Sequence, residues 1–299
     1  MKKAALTACS DPIPRGRLQE ITQAADILRE EGLEVVFPSP FWGSPGPGLV
    51  QPDPLLFAED ENGPAKVDAP VDPKSKAEGL NSCFRDPETA FIFDVSGGDV
   101  ANGVLPFLDY EAIRQSSALF CGYSDLTTVI NAIIARTGKR AMNYQIRNIL
   151  YDHAAEQRRY LRENVLAEKI PTEDLAVRFI RGTHMEGKIL GGNMRCFLKL
   201  AGTPYWPDMR GNILLLESMG GGVYQMMTAL EQYRQMGVFE QISGVLLGTF
   251  SKMESENLHP TVPDLVMQML PDNLPVACTR YVGHYSDARA VVLGQETRI

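Results

Sequence analysis

Ser124 stands in Gly122-Tyr123-Ser124-Asp125, directly after the apolar run Ala118-Leu119-Phe120-Cys121 and before a helical pattern that begins near Thr127. A tight strand-to-helix turn pushes a hydroxyl out of a sheet, and the free N–H groups of the helix start face any oxyanion formed there. The pattern differs from the G-x-S-x-G elbow, because Leu126 occupies the place of the final glycine. The same serine also reads as a helix N-cap, with no chemistry at all. A nucleophilic serine needs a base, and the base needs an orienting acid. Of the four histidines, His153 lies in a polar helical stretch, His259 in a Glu/Asn/Pro loop and His184 in a turn. His284 follows the apolar run to Val282 and Gly283, a position at a sheet edge where catalytic groups are common. It also reads as a structural, hydrogen-bonded histidine. Glu217 ends Ile213-Leu214-Leu215-Leu216, so its carboxylate stands at the carboxyl end of a strand. Burial there is costly unless it is paired, and a histidine supplies the pairing. A strand-end carboxylate that faces water is the alternative. Gly97-Gly98, after the strand Ala90–Val95, offers backbone amides for a second oxyanion donor, or is a plain turn. Gly191-Gly192-Asn193 reads as structural.

These positions need a scaffold. Ala4–Ala8, a helical pattern over 16–31 and Leu33–Phe37 form a β-α-β rhythm, which implies a parallel sheet. Residues 38–73 carry nine prolines and break the pattern; the expectation is a mobile loop that proteases cut. A helix over 73–85, strands at 90–95 and 118–121 and a helix over about 127–136 follow. The polar stretch 144–169 reads as a helical connector between halves. The second half alternates strands near 188–190, 212–216, 242–247, 276–278 and 290–294 with a helix over 223–235.

Bulk properties set the limits. The 299 residues are 44% apolar and 22% charged, an ordinary globular composition that can bury a sizeable core. A net charge of −8 argues against nucleic acid as a partner, since phosphate binding needs a basic face. Five scattered cysteines without a C-x-x-C pair suggest neither zinc nor a disulfide framework, and fit reduced thiols in a cytoplasmic enzyme. The apolar stretch behind Met1-Lys2-Lys3 is too short for a signal peptide. No run approaches the roughly 18 apolar residues of a membrane span.

Taken together, Gly97-Gly98 before Leu105-Pro106-Phe107-Leu108-Asp109, Gly122-Tyr123-Ser124-Asp125-Leu126-Thr127, Gly191-Gly192-Asn193, Leu214–Glu217, Gly244–Gly248 and Gly283-His284 resemble the LD-carboxypeptidase family of serine peptidases, which includes the microcin C immunity hydrolases. The resemblance runs from about Ala4 to Leu293. It implies a flavodoxin-like parallel-sheet N-terminal domain, 1–160, bearing the nucleophile. A β-rich swivelling C-terminal domain, 161–299, carries the acid and base. By the same resemblance Ser124 is the nucleophile, His284 the base and Glu217 its partner, and the amides of Gly98 and Asp125 form the oxyanion hole. It implies no metal and no cofactor, a homodimer, and a small substrate: a murein tetrapeptide losing its terminal D-alanine, or an aminoacyl-nucleotide. The stretch Gly202–Asp208 resembles the immunity-type relatives, as does the segment from Gly97-Gly98 to Leu105-Pro106-Phe107-Leu108-Asp109-Tyr110. The chain departs from relatives at Ser96 (often Arg), at Asp99-Val100 and at Met142-Asn143-Tyr144. A non-catalytic binding protein on the same scaffold is the remaining alternative.

Overall fold

The computed structural model describes residues 1–38 and 72–299. Most of the proline-rich loop expected over 38–73 lies outside the described residues.

Two six-stranded sheets organise the chain. The first contains β1 (Lys3–Thr7), β2 (Glu34–Val36), β3 (Thr89–Asp94), β4 (Leu119–Gly122) and β5 (Ala141–Asn143). Their spatial order is 2-1-3-4-5, all parallel, the flavodoxin-like order. In such a sheet ligands bind outside the carboxyl ends of the strands, where the order reverses between β1 and β3. The second sheet contains β6 (Arg178–Arg181), β7 (Glu186–Asn193), β8 (Ile213–Ser218), β9 (Gly244–Phe250) and β10 (Val276–Cys278). Strands β7 to β10 run parallel, with β6 antiparallel at one edge. The final strands divide between the sheets. β11 (Val291–Leu293) returns to the first sheet and pairs antiparallel with β5, and β12 (Glu296–Arg298) edges β7. The two-part α/β class expected from the sequence is present, and the strand expected over 290–294 belongs to the sheet built mainly from the chain's first half.

Among the described residues nine α-helices connect the strands: α1 (Leu18–Glu30), α2 (Pro73–Arg85), α3 (Tyr110–Gln115), α4 (Thr127–Thr137), α5 (Ala154–Tyr160), α6 (Met194–Leu198), α7 (Val223–Gln235), α8 (Ser251–Ser255) and α9 (Val262–Met269). The stretch 144–169, expected as one polar helix, is broken into a 3-10 turn at Ile146–Leu150, α5 and a π turn at Leu161–Val165. Its polarity is one-sided. Ile146, Ile149, Tyr160, Leu161 and Val165 are buried in the core cluster that also holds Leu6, Phe93 and Met142.

Helix α4 joins the two sheets. Its sequence, TTVINAIIART, is apolar on most sides, and Thr127 to Ile134 are all buried. A helix buried all round belongs in the middle of a structure, and α4 lies between the first sheet and β7. Gly138, at φ 71°, ends it in a left-handed cap. The buried Asn131 on this helix bonds the main chain of Gly191 in both directions, at 2.9 Å and 3.0 Å. Thr127 Oγ1 accepts from Asn193 N at 3.0 Å. The Gly191-Gly192-Asn193 segment therefore has the structural role expected of it, holding the end of β7 against the start of α4.

Candidate active site

The first sheet presents three loops at its carboxyl edge. Ser10 follows β1, Gly97-Gly98 follows β3 and Ser124 follows β4. Ser124 opens a short 3-10 turn, Ser124–Leu126, that runs into α4. Its φ is 56°, in the left-handed region that serine seldom occupies. Such strain persists only where the surroundings enforce it, and it is common at nucleophile turns. No side chain caps this turn or α4, so the N-cap alternative for Ser124 fails. Among the described residues the hydroxyl has no hydrogen-bond partner, and the first amides of the turn have no acceptor within the helix.

The second sheet brings the other two groups. Glu217 lies within β8, 2% exposed. His284 follows β10, its side chain 8% exposed, with Nδ1 2.8 Å from Glu217 Oε2. That is hydrogen-bond distance, although the alignment is not that of a full hydrogen bond, and among the described residues neither ring nitrogen has a well-aligned partner. The imidazole ring lies 5.3 Å, centroid to centroid, from the ring of Tyr123, the residue before Ser124. The remaining three histidines are exposed.

Residue 283 sets the position of His284. Val282 O accepts from Thr249 N at 2.8 Å at the end of β9. This draws the chain so close that a Cβ on Gly283, whose φ is 141°, would stand 2.0 Å from Thr249 Oγ1. Gly283→Ala must therefore push the His284 segment away. An ångström of misplacement costs about 10²-fold in rate, so this variant is expected to lose about that factor in kcat while remaining folded, as steady-state kinetics and a thermal melt would report.

Gly98 is held as tightly. At φ 135°, its missing Cβ would fall 2.0 Å from the Asp11 carboxyl carbon. Asp11 also accepts from Asp99 N at 3.0 Å. The loop after β3 is thus fixed against the loop after β1, and it is tied to the turn after β4 by Ala101 N, which donates to Asp125 Oδ2 at 2.8 Å.

Behind these loops runs a buried polar chain that sequence reasoning missed. Asp94 accepts from Thr7 Oγ1 at 3.0 Å, Cys9 N at 2.8 Å, Ser96 N at 2.9 Å and Ser96 Oγ. Ser96 Oγ accepts from Ser10 N at 2.9 Å, and Ser10 Oγ donates to Asp125 Oδ2 at 2.6 Å. Burial pushes the Asp94 carboxyl up from its ordinary range, while the donors from Ser96 and Cys9 pull the other way. The buried Lys76 donates to Ser10 O. Burial pulls its ammonium down, opposed by Cys9, Asp94, Asp11 and Asp125. Burial also raises the Tyr123 phenol, with the Arg147 guanidinium opposing it, and Arg147 donates to the phenol oxygen at 3.2 Å. The one signal in the sequence for this network was the cluster of polar residues straight after β1 and β3.

Of the departures from relatives, Ser96 belongs to this network, Asp99 adjoins it through Lys199, and Met142 lies apart from it. Ser96 is fully buried, with donor and acceptor both used. Asp99 pairs with Arg195 at 2.6 Å and lies 3.5 Å from Lys199. Met142 is core of the first sheet. Among the described residues no cluster of three or more His, Cys, Asp or Glu could hold a metal ion. No helix among them is long and apolar enough to cross a membrane. All five cysteines are free thiols.

Comparison with known families assigns residues 4–144 to the LD-carboxypeptidase N-terminal domain and 186–299 to the LD-carboxypeptidase C-terminal domain. The chain belongs to the LD-carboxypeptidase family. The family is of the serine carboxypeptidase type and takes in murein peptide carboxypeptidases and the microcin self-immunity hydrolases. A Bacillus subtilis relative named "Probable murein peptide carboxypeptidase" is 26% identical over 227 residues, 72% of this chain and 70% of that one. The microcin C7 self-immunity protein MccF of Escherichia coli is 23% identical over 207 residues, 58% of this chain and 60% of its own. In its inactive-mutant apo structure MccF superposes with a TM-score of 0.78 at 18% identity, covering 100% of this chain and 92% of MccF. MccF has also been solved in complex with aspartyl sulfamoyl adenosine. The muramoyltetrapeptide carboxypeptidase of Oxalobacter formigenes superposes with a TM-score of 0.71 at 18% identity, covering 99% and 94%. At these identities the structural likeness is one of fold.

Proposed function

We propose that the chain is a serine hydrolase that removes the terminal D-alanine from a murein tetrapeptide through an acyl-enzyme. The observation that carries this reading is the buried Glu217–His284 pair, 2.8 Å apart, set against Tyr123 next to the strained Ser124. With Nδ1 turned to Glu217, His284 Nε2 is the nitrogen free to take the Ser124 proton. Ser124 Oγ attacks the scissile carbonyl, and the Gly98 and Asp125 amides receive the oxyanion. The proton on His284 passes to the departing amine of D-alanine, and Glu217 stabilises the imidazolium meanwhile. Water, activated by the same histidine, then releases the shortened peptide. Family membership supports the reaction class, and the name of the Bacillus subtilis relative supports the substrate.

A second reading keeps the machinery and takes an aminoacyl-nucleotide, as the match to MccF suggests. It ranks second because MccF matches over 58% of this chain, against 72% for the Bacillus subtilis relative named as a murein peptide carboxypeptidase. Incubation with muramoyl tetrapeptide is expected to release free D-alanine, detected by a D-amino-acid oxidase assay, and to leave aspartyl sulfamoyl adenosine intact. Cleavage of the nucleoside alone would reverse the ranking.

A further inference from the structure

The ammonium of Lys199, just past the end of α6, reaches from the second sheet's layer to the nucleophile loops of the first. It pairs with Asp125 Oδ1 and donates to Asp99 O at 2.8 Å, with Asp99 Oδ1 a further 3.5 Å partner. Asp125 follows Ser124, and Asp99 follows Gly98. One side chain therefore grips Asp125, whose own amide is assigned to the oxyanion hole, and Asp99, the residue after the other assigned amide, that of Gly98. The Asp125 carboxylate is fully buried, and its other oxygen accepts from Ser10 Oγ at 2.6 Å and from Ala101 N at 2.8 Å. An ammonium has three protons and no acceptor, and two of them are held by Asp125 Oδ1 and Asp99 O, with the Asp99 carboxylate as a longer ionic partner.

We infer that Lys199 is a positioning residue that fixes the Gly98 and Asp125 amides relative to each other, and that hydrolysis depends on it although it touches neither substrate nor reacting atoms. The inference rests on the serine-hydrolase reading above. It adds that the oxyanion hole, built wholly on the first sheet, is completed by a cation from α6. Donors in such a hole act by being preorganised, and losing one donor lowers the rate by about 10²–10³-fold. A loosened pair of amides is expected to show an effect of the lower size.

The test uses a fluorophosphonate on the full chain. Ser124 Oγ displaces fluoride from phosphorus, the hydroxyl proton passes to His284, and labelling reads the same amides. Lys199→Met is expected to lower the maximal labelling rate by about 10²-fold, with the half-saturating probe concentration within threefold and the midpoint of the pH–rate profile unmoved. Lys199→Arg keeps the charge and is expected to recover most of the rate. Because Lys199→Met strands a buried carboxylate, Asp125→Asn/Lys199→Met is made alongside it. The double variant should fold, as its melting curve would report, and should still label slowly. Labelling of the folded double variant within threefold of wild type overturns the inference, as does an unrecovered rate in a folded Lys199→Arg. Absence of labelling in the wild type overturns the serine-hydrolase reading itself, a result distinct from a labelled wild type matched by its lysine variants.

Discussion

Ser124→Ala is expected to lower kcat by about a millionfold, the loss seen when a hydrolase loses the nucleophile of a concerted triad. The expectation rests on position. The hydroxyl leaves a turn that no side chain caps, at the carboxyl edge of a sheet, beside amides without helical acceptors. Among the described residues no hydrogen bond uses that oxygen. A second variant separates chemistry from backbone. At φ 56° an alanine keeps the left-handed strain and a glycine removes it. Ser124→Gly should therefore be as inactive as Ser124→Ala, yet more stable than it by about 1 kcal/mol. Steady-state kinetics and chemical denaturation of the two variants would measure both effects. An alanine variant with more than a per cent of wild-type turnover would sink the assignment.

Ser124 and Glu217 were legible as candidates because each sits at or just past a strand end, where the sequence changes abruptly. Leu214-Leu215-Leu216 gives way to Glu217, and Cys121-Gly122 to Ser124. His284 lies six residues beyond β10 and was legible only from the Gly-His that follows an apolar run. The parallel order was legible from the β-α-β rhythm. Local signals could not show which sheet a late strand joins. Val291–Leu293 looks like any short apolar strand, and only the antiparallel pairing with Asn143–Ala141 places it in the first sheet. The stretch 144–169 misled for a related reason. Apart from the buried Arg147 its charged residues point outward, while Tyr160, Leu161 and Val165 are buried, and the helical period is broken by a π turn that no residue type announces. Lys199 was invisible because its partners, Asp99 and Asp125, are 100 and 74 residues away in sequence. A lysine after an amphipathic helix is ordinarily a solvated one. The same distance hid the Asp94–Ser96–Ser10–Asp125 chain, whose hydrogen bonds form only once three loops share an edge.

The pair on the second sheet should respond differently to removal of each partner. His284→Ala takes away the proposed base and leaves Glu217, 2% exposed, as a buried carboxylate without its imidazole partner. Stranding a buried charge in this way costs about 3–5 kcal/mol, so this variant is expected to lose both turnover and much of its thermal stability. Glu217→Gln keeps the shape and discards the charge. It should melt near the wild type while kcat falls about 10⁴-fold, because an amide can no longer hold the imidazole in the productive tautomer or stabilise its cation. The combination decides between a functional pair and two independent residues. In His284→Ala/Glu217→Gln the stranded charge is gone, so the double variant should be more stable than His284→Ala alone, and its activity no lower than that of the worse single variant. Additive losses in stability and in kcat would mean that the 2.8 Å contact carries neither packing energy nor chemistry. Non-additive losses would tie the buried acid, the base and the strained serine into one unit built from the facing edges of two sheets.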